Sequence, residues 1–565
     1  MTVLFWVCTI GILSLFLIWR NHSDQKKAKE RFRDLKKTQY GASPNRNSGE
    51  EALSHVSHFF EDHRQENAID DITWNDLEMD SVFARLNYCE SAAGEEVLYD
   101  FLRNPCRLNA SERARLERQI ELLQTDGDVR LQLQYQFYML RQRGKFSIYD
   151  YLHLLDQEKK RSNGKHFLLL FLLILSLVCC IFSVSGAPLF LVGMICVNMI
   201  TYFQEKGRSD AYLSVFYYVL RLLGEAEKLE RIHHERLQGT FDLELQELHQ
   251  AIQSLSAFRR GSSILMSSAR MSGSGNPLDL LVDYLRILTH IDLIKCNQMF
   301  SELKEHREDV DCLHEKIGRM EVPLSIACFR ASLKEGWSIP RWEDGGELTI
   351  TGAYHPLLQH PVKNSIRCQK NILITGSNAS GKSTFLKTIA LCSLLAQTIQ
   401  TVPAESYCAP IFRIFSSMTL RDDLEGGDSY YMVEIKALKR VIDESKKGGN
   451  KVLCFVDEVL RGTNTVERIA ASTEILRYFS QENVLCFAAT HDIELTGMLN
   501  DVYDYYYFEG DITENDIHFH YHLQAGVAKT RNAIQLLKLM GYETEIVERA
   551  ETMAQRFLKE GVWRE

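Results

Sequence analysis

Hydrophobic positions change their spacing several times along this chain. Three runs, Val3–Trp19, Phe167–Ser183 and Ala187–Phe203, are apolar and carry no charge. Each approaches the roughly 20 residues that span a bilayer. Leu168–Leu175 is apolar on every face, whereas a soluble core helix keeps a polar edge. Residues 71–160 and 209–340 follow a different rule. Apolar residues there recur at i, i+3 and i+4, as in Val97, Leu98, Phe101 and Leu102, or Leu116, Ile120 and Leu123. That spacing predicts helices with little strand. From about Glu347 the pattern becomes short β-branched runs, Leu348–Thr351, Asn371–Thr375, Ile411–Phe415, Lys451–Val456 and Val484–Ala488, separated by helical stretches. Such alternation predicts a mostly parallel α/β sheet.

Charge beside the apolar runs sets an orientation. Arg20, Lys26, Lys27, Lys29, Arg31 and Arg33 follow the first run, Lys159, Lys160, Arg161 and Lys165 precede the second, and Lys206 and Arg208 follow the third. A signal peptide would carry its basic residues before the apolar stretch, not after it. One topology satisfies every flank: three transmembrane helices in the cell membrane, with the N-terminus and the turn near Gly186 outside and the rest cytoplasmic. The lipid bilayer is then a partner. Composition alters little else. The chain has 565 residues, enough for several domains, and is 45% hydrophobic and 25% charged. Its net charge of −10 argues against a surface built for general polyanion binding, while leaving room for a local basic groove. Fourteen cysteines show no metal-ligand or disulfide spacing, which suits small buried hydrophobes in a reducing compartment.

Chemistry concentrates at Gly376-Ser377-Asn378-Ala379-Ser380-Gly381-Lys382-Ser383, set between the run Asn371–Thr375 and a predicted helix from Thr384 to about Gln400. G-x-x-x-x-G-K-S between a strand and a helix is a phosphate-binding loop. Its N–H groups and the helix N-terminus favour anions. Lys382 reaches the β- and γ-phosphates, and the Ser383 hydroxyl suits Mg²⁺. The strand Val452–Val456 ends in Asp457 and Glu458, which suits a Mg²⁺-holding acid followed by a general base. His491, in Ala489-Thr490-His491-Asp492 after the next strand, is placed to meet the γ-phosphate. Gly426-Gly427-Asp428-Ser429 precedes an amphipathic helix from Val433 to about Ser445, which makes a helix-end anion site. The predicted ligands are ATP and Mg²⁺. The cofactor-binding residues are Gly376 to Ser383, Thr384 and Ser429, with Ser383 and Asp457 on the metal and Lys382, Glu458 and His491 catalytic.

These residues resemble one family, the MutS-type mismatch-repair ATPases of the ABC-like class. Tyr354-His355-Pro356-Leu357-Leu358 is similar to its R-H-P-h-h segment, with Asn364 near its nucleotide-contacting asparagine. Thr375–Thr384 resembles T-G-P-N-M-G-G-K-S-T, and Asp422-Asp423-Leu424 through Ser429 to Glu434 resembles the D-D-L…G-x-S-T-F-x-x-E signature. Asp457–Thr465 is similar to D-E-h-G-R-G-T-S-T, and the tail Ala525-Gly526 through Ala550 resembles the closing dimerisation helices. Upstream, Asn87–Pro105 looks like a helical core segment, and Ile317–Ala327 like the helix that returns to the ATPase. The resemblance implies an α/β P-loop ATPase domain after an all-α core and lever. It further implies a homodimer through that domain with Ser429 acting in trans, DNA-dependent ATP hydrolysis, and duplex or mismatched DNA as partner.

The expected layout is a membrane helix at 1–20, a polar linker at 21–70, a helical core at 71–160, a membrane hairpin at 167–203, helical lever segments at 209–340 and the ATPase at 345–565. Two departures stand out. Leu460 replaces a family glycine, and Ser377, Ala379 and Ser380 replace Pro, Met and Gly. The family's mismatch reader inserts an F-x-E wedge. Phe59-Phe60-Glu61 matches it, but the short segment before the helical core is expected to be too small for that domain, making the match a chance one. The alternative function is an ATP-driven membrane switch that does not bind DNA.

Overall fold

The computed structural model describes residues 2–560 apart from 45–52, 54, 141–146, 148, 150–160, 211, 238, 264, 266–276, 346, 378–379, 419–429, 462, 482, 513–516 and 529–532. The helical half is organised by one long helix, Arg307–Ser332, which packs on helices Ala92–Arg103, Ala110–Thr125 and Asp242–Ser254. Close approach here depends on missing side chains. A Cβ on Gly318 would lie 2.5 Å from both the Ala93 carbonyl oxygen and Val97 Cγ2. Ser91 caps the N-terminus of Ala92–Arg103, accepting from the Gly94 N–H at 3.0 Å. Phe59 and Phe60, the candidate wedge, are buried in this core. The stretch expected as linker contributes two helical pieces, the end of Thr2–Gln39 and Ser57–Asp62.

Ten strands follow among the described residues: β1 Arg341–Trp342, β2 Leu348–Ala353, β3 Asn364–Cys368, β4 Asn371–Gly376, β5 Ser406–Ala409, β6 Arg413–Ser417, β7 Val452–Asp457, β8 Val484–Thr490, β9 Tyr503–Ile512 and β10 Ile517–Ala525. The main sheet runs β10-β9-β4-β8-β7-β6, with β1-β5-β2-β3 as a smaller second sheet. In the main sheet β9, β4, β8, β7 and β6 are parallel and β10 is antiparallel. Central strands buried on both faces read as unbroken apolar runs, which is the pattern of Ile372–Ile374 and Val452–Val456. Register aligns Thr375 with Thr490 and Asp457 with Ala489. The carboxyl ends of β4, β7 and β8 therefore share one edge, where ligands bind in open parallel sheets.

One core continues from the helices into the sheet, joining Phe329, Ile350, Phe385, Ile399 and Phe412. Polar bonds pin the seam. Asp76 accepts from Ser416 Oγ at 2.6 Å and from the Met418 N–H at 2.9 Å. At the end of the long helix, Arg330 donates to Glu117, Thr401 Oγ1 and the Gln400 carbonyl.

Three membrane spans were expected; among the described residues two helices are long and apolar enough, Gly164–Ile181 and Ala187–Asp210. They pack on each other as a hairpin with outward apolar side chains, Leu189 being 80% exposed. The first expected span falls in helix Thr2–Gln39, where most of the side chains before Trp19 lie outside the described residues. A polar collar ties the hairpin to the helices beside it. His290 Nε2 meets the Asn198 carbonyl at 2.9 Å, and Tyr202 donates to Asp292 at 2.8 Å.

Candidate nucleotide site at the carboxyl edge of the sheet

β4 ends at Gly376, whose φ of +148° and lack of Cβ let the chain turn beside Phe508. A Cβ there would lie 2.8 Å from the Phe508 carbonyl oxygen. Gly381, with φ +107°, starts the helix Lys382–Ile399 two residues earlier than its apolar pattern suggests. The loop folds over its own lysine. Lys382 is 5% exposed, and its Nζ donates to the carbonyls of Gly376 and Ser377, each at 2.9 Å. His491 Nε2 stands 3.4 Å from the same amine. Burial pushes the Lys382 amine down to about 8, against the opposing pull of Asp457 and Glu458. Ser380 is buried, and its hydroxyl has no partner among the described residues. Asn378 and Ala379 lie outside the described residues.

Across the edge, Ser383 Oγ donates to Asp457 Oδ2. The second oxygen, Asp457 Oδ1, is buried and has no partner among the described residues. A hydroxyl beside a carboxylate with a spare oxygen is the hard donor set that Mg²⁺ takes, so these residues fit the ion. Glu458 pairs with His491 Nε2 at 2.7 Å and with Arg461 Nε at 2.5 Å. Burial raises the Glu458 carboxyl, but the His491 hydrogen bond and the charges of His491, Arg461 and Lys382 hold it below its usual value. Arg461 was not among the expected site residues. Its signal was its place three positions after Glu458, within the same motif.

Lys382, Ser383, Asp457, Glu458 and His491 thus come together from three strand ends. Thr384 is exposed in the first helical turn. Ser429, with Gly426–Asp428, lies outside the described residues, and its helix begins at Tyr430 rather than Val433. Beside Gly381 and Thr384 opens a cavity of about 330 Å³, lined also by His355, Asn364, Phe508 and Tyr521. Asn364 is not free there. Its Nδ2 donates to the Tyr521 carbonyl at 2.9 Å and its Oδ1 accepts from the Leu523 N–H at 2.8 Å. These bonds hold the irregularity in β10 where Tyr521 has φ +55°.

Residues 372–558 match the family model for MutS domain V. The chain is 29% identical over 255 residues to the DNA mismatch repair protein MutS of Pseudothermotoga lettingae, covering 42% of this chain and 30% of the relative. With MutS of Thermus thermophilus the identity is 29% over 263 residues, covering 45% and 32%. With MutS of Thermotoga petrophila it is 32% over 269 residues, covering 46% and 33%. The chain therefore spans about a third of the length of these curated relatives. Over its C-terminal half the chain therefore carries a match to MutS domain V and is similar in sequence to MutS mismatch repair proteins.

Proposed function

We propose that the chain binds and hydrolyses ATP at this edge, as half of an ATP-gated homodimer serving DNA mismatch repair or a related DNA transaction. One observation carries the reading: Lys382, Ser383 and Asp457 converge beside the Glu458–His491 pair. In this reading the N–H groups of Gly376–Ser383 and the Lys382 amine hold the β- and γ-phosphates. Ser383 and Asp457 would hold Mg²⁺, which supplies charge neutralisation on the transferred phosphoryl group. Glu458, kept ionised by His491 and Arg461, accepts the proton of the attacking water. Ser429 of the second subunit closes the site. Turnover by the purified full-length chain with Mg²⁺ and ATP, lost in Lys382→Ala, supports the reading; equal turnover in the variant rejects it.

A second reading rests on the exposed apolar hairpin. Here the chain is a membrane-anchored switch, with three spans, an outside N-terminus and a cytoplasmic ATPase, and ATP closure moves helices held in the bilayer. It needs no DNA. Affinity for perfect and mismatched duplexes, measured across salt, separates the readings, because phosphate contacts give a steep negative salt slope. Retention in the membrane fraction after alkaline extraction tests the anchor.

A further inference from the structure

The turn after β7 holds two residues in a backbone region that favours glycine. Glu458 has φ +58° and Leu460 has φ +59°, and neither can relax by losing a Cβ. Something outside the turn must hold it there. Two helices do. Ser472 of helix Thr465–Gln481 donates to the Val459 carbonyl at 3.2 Å. Glu434 of helix Tyr430–Ser445 accepts the Leu460 N–H, and the Arg461 N–H faces the same carboxylate. Glu434 is 4% exposed and its second oxygen has no partner among the described residues. A carboxylate this deeply buried is costly, and here it points at two backbone donors. Leu460 itself, 3% exposed, packs with Leu438, Val441 and Leu476. The side chain that makes the left-handed turn unfavourable is thus also anchored in the core.

We infer that Glu434 is a positioning residue for Glu458: by clamping the N–H of Leu460 it fixes the turn that aims the Glu458 carboxylate at His491. The inference rests on the ATPase reading above. Among the described residues Glu434 makes no hydrogen bond to Lys382, Ser383 or Asp457. It acts through the backbone, and Leu460 makes that clamp necessary, because a glycine would take the same φ freely.

The test compares the full-length wild type with Lys382→Ala, Glu434→Gln and Glu434→Met under Mg²⁺ and ATP. A wild type without turnover defeats the ATPase reading and the inference with it. Given turnover that Lys382→Ala removes, Glu434→Gln keeps an acceptor and should stay within about threefold of wild-type kcat. Glu434→Met has similar bulk but no acceptor, and its kcat should fall by on the order of 10–100-fold with KM for ATP little changed, as for a misaimed catalytic group. Adding Leu460→Gly to Glu434→Met should recover much of the loss. Wild-type kcat in Glu434→Met, or equal losses in Gln and Met, overturns the inference. If Glu434→Met alone fails to fold, the double variant decides: folded and active supports the clamp, while inactive or still unfolded overturns it.

Discussion

Arg330 and Glu117 form a two-pronged ion pair, 2.7 Å at each prong, with the arginine side chain fully enclosed. The same guanidinium donates to Thr401 Oγ1 at 2.8 Å and lies 4.2 Å over the Trp337 ring. Helix Ala110–Thr125 and the segments at Trp337 and Thr401 all meet this one side chain. Breaking a buried pair from one side strands the other charge, so Glu117→Ala, which leaves the enclosed Arg330 unpaired, should cost at least as much as Arg330→Ala, which leaves a Glu117 that can reach water. Arg330→Ala is expected to lower stability by about 3–5 kcal/mol. Lysine cannot reproduce the fork, so Arg330→Lys should recover less than half. Urea unfolding of the purified variants measures both.

Glu458→Gln keeps the shape of the site and removes the proposed base. Turnover should fall by roughly 10²–10⁴-fold, while nucleotide binding, read with a fluorescent ATP analogue, persists. Loss of binding together with turnover would show that Glu458 supports the loop rather than the chemistry.

His63 donates to Asp311 across 2.8 Å, and that bond, with burial opposing it, raises the histidine from 6.5 to about 9. Between these values the folded state holds a proton that the unfolded chain releases. The pair's stabilisation is therefore complete below about pH 6.5 and lost as pH rises through about 9. At this half-buried site the amount is on the order of 1–2 kcal/mol. Thermal melts across that range should slope downward, and Asp311→Asn should flatten the slope.

Gly318→Ala places a methyl where Ala93 and Val97 already stand, at 2.5 Å. The long helix must move off helix Ala92–Arg103. A loss of about 1–3 kcal/mol is expected, read as a lower urea midpoint. A midpoint equal to wild type would mean the crossing has slack.

Sequence spacing reveals what is local. The strand, the glycines and Lys382–Ser383 of the phosphate loop lie in one short stretch, and Asp457, Glu458 and His491 each follow an apolar strand. Their convergence was readable because parallel strands bring their carboxyl ends to one edge. The bonds from Asn364 to β10 and from Glu434 to Leu460 join residues far apart in the chain. Side chain to backbone pairing of that kind leaves no periodic trace. β9 and β10 were also unreadable: tyrosines, histidines and acids fill Tyr503–Ala525, so alternation between faces is weak. Leucine itself does not signal the glycine-like φ at Leu460; the trace in the sequence was that it stands where the resembling family has glycine.

Helix Lys382–Ile399 runs 18 residues, about 27 Å at the usual rise per residue, and nearly all of it is enclosed. Its first residue is the phosphate-loop lysine, and directly beyond its last, Gln400 offers its carbonyl to Arg330 at 2.9 Å. Such a rod neither compresses nor bends appreciably within a close-packed interior. One continuous buried helix therefore joins the phosphate-loop lysine to the foot of the long helix. A rigid strut thus links the candidate site to the helical half of the molecule, with Lys382 at one end and Arg330 at the other.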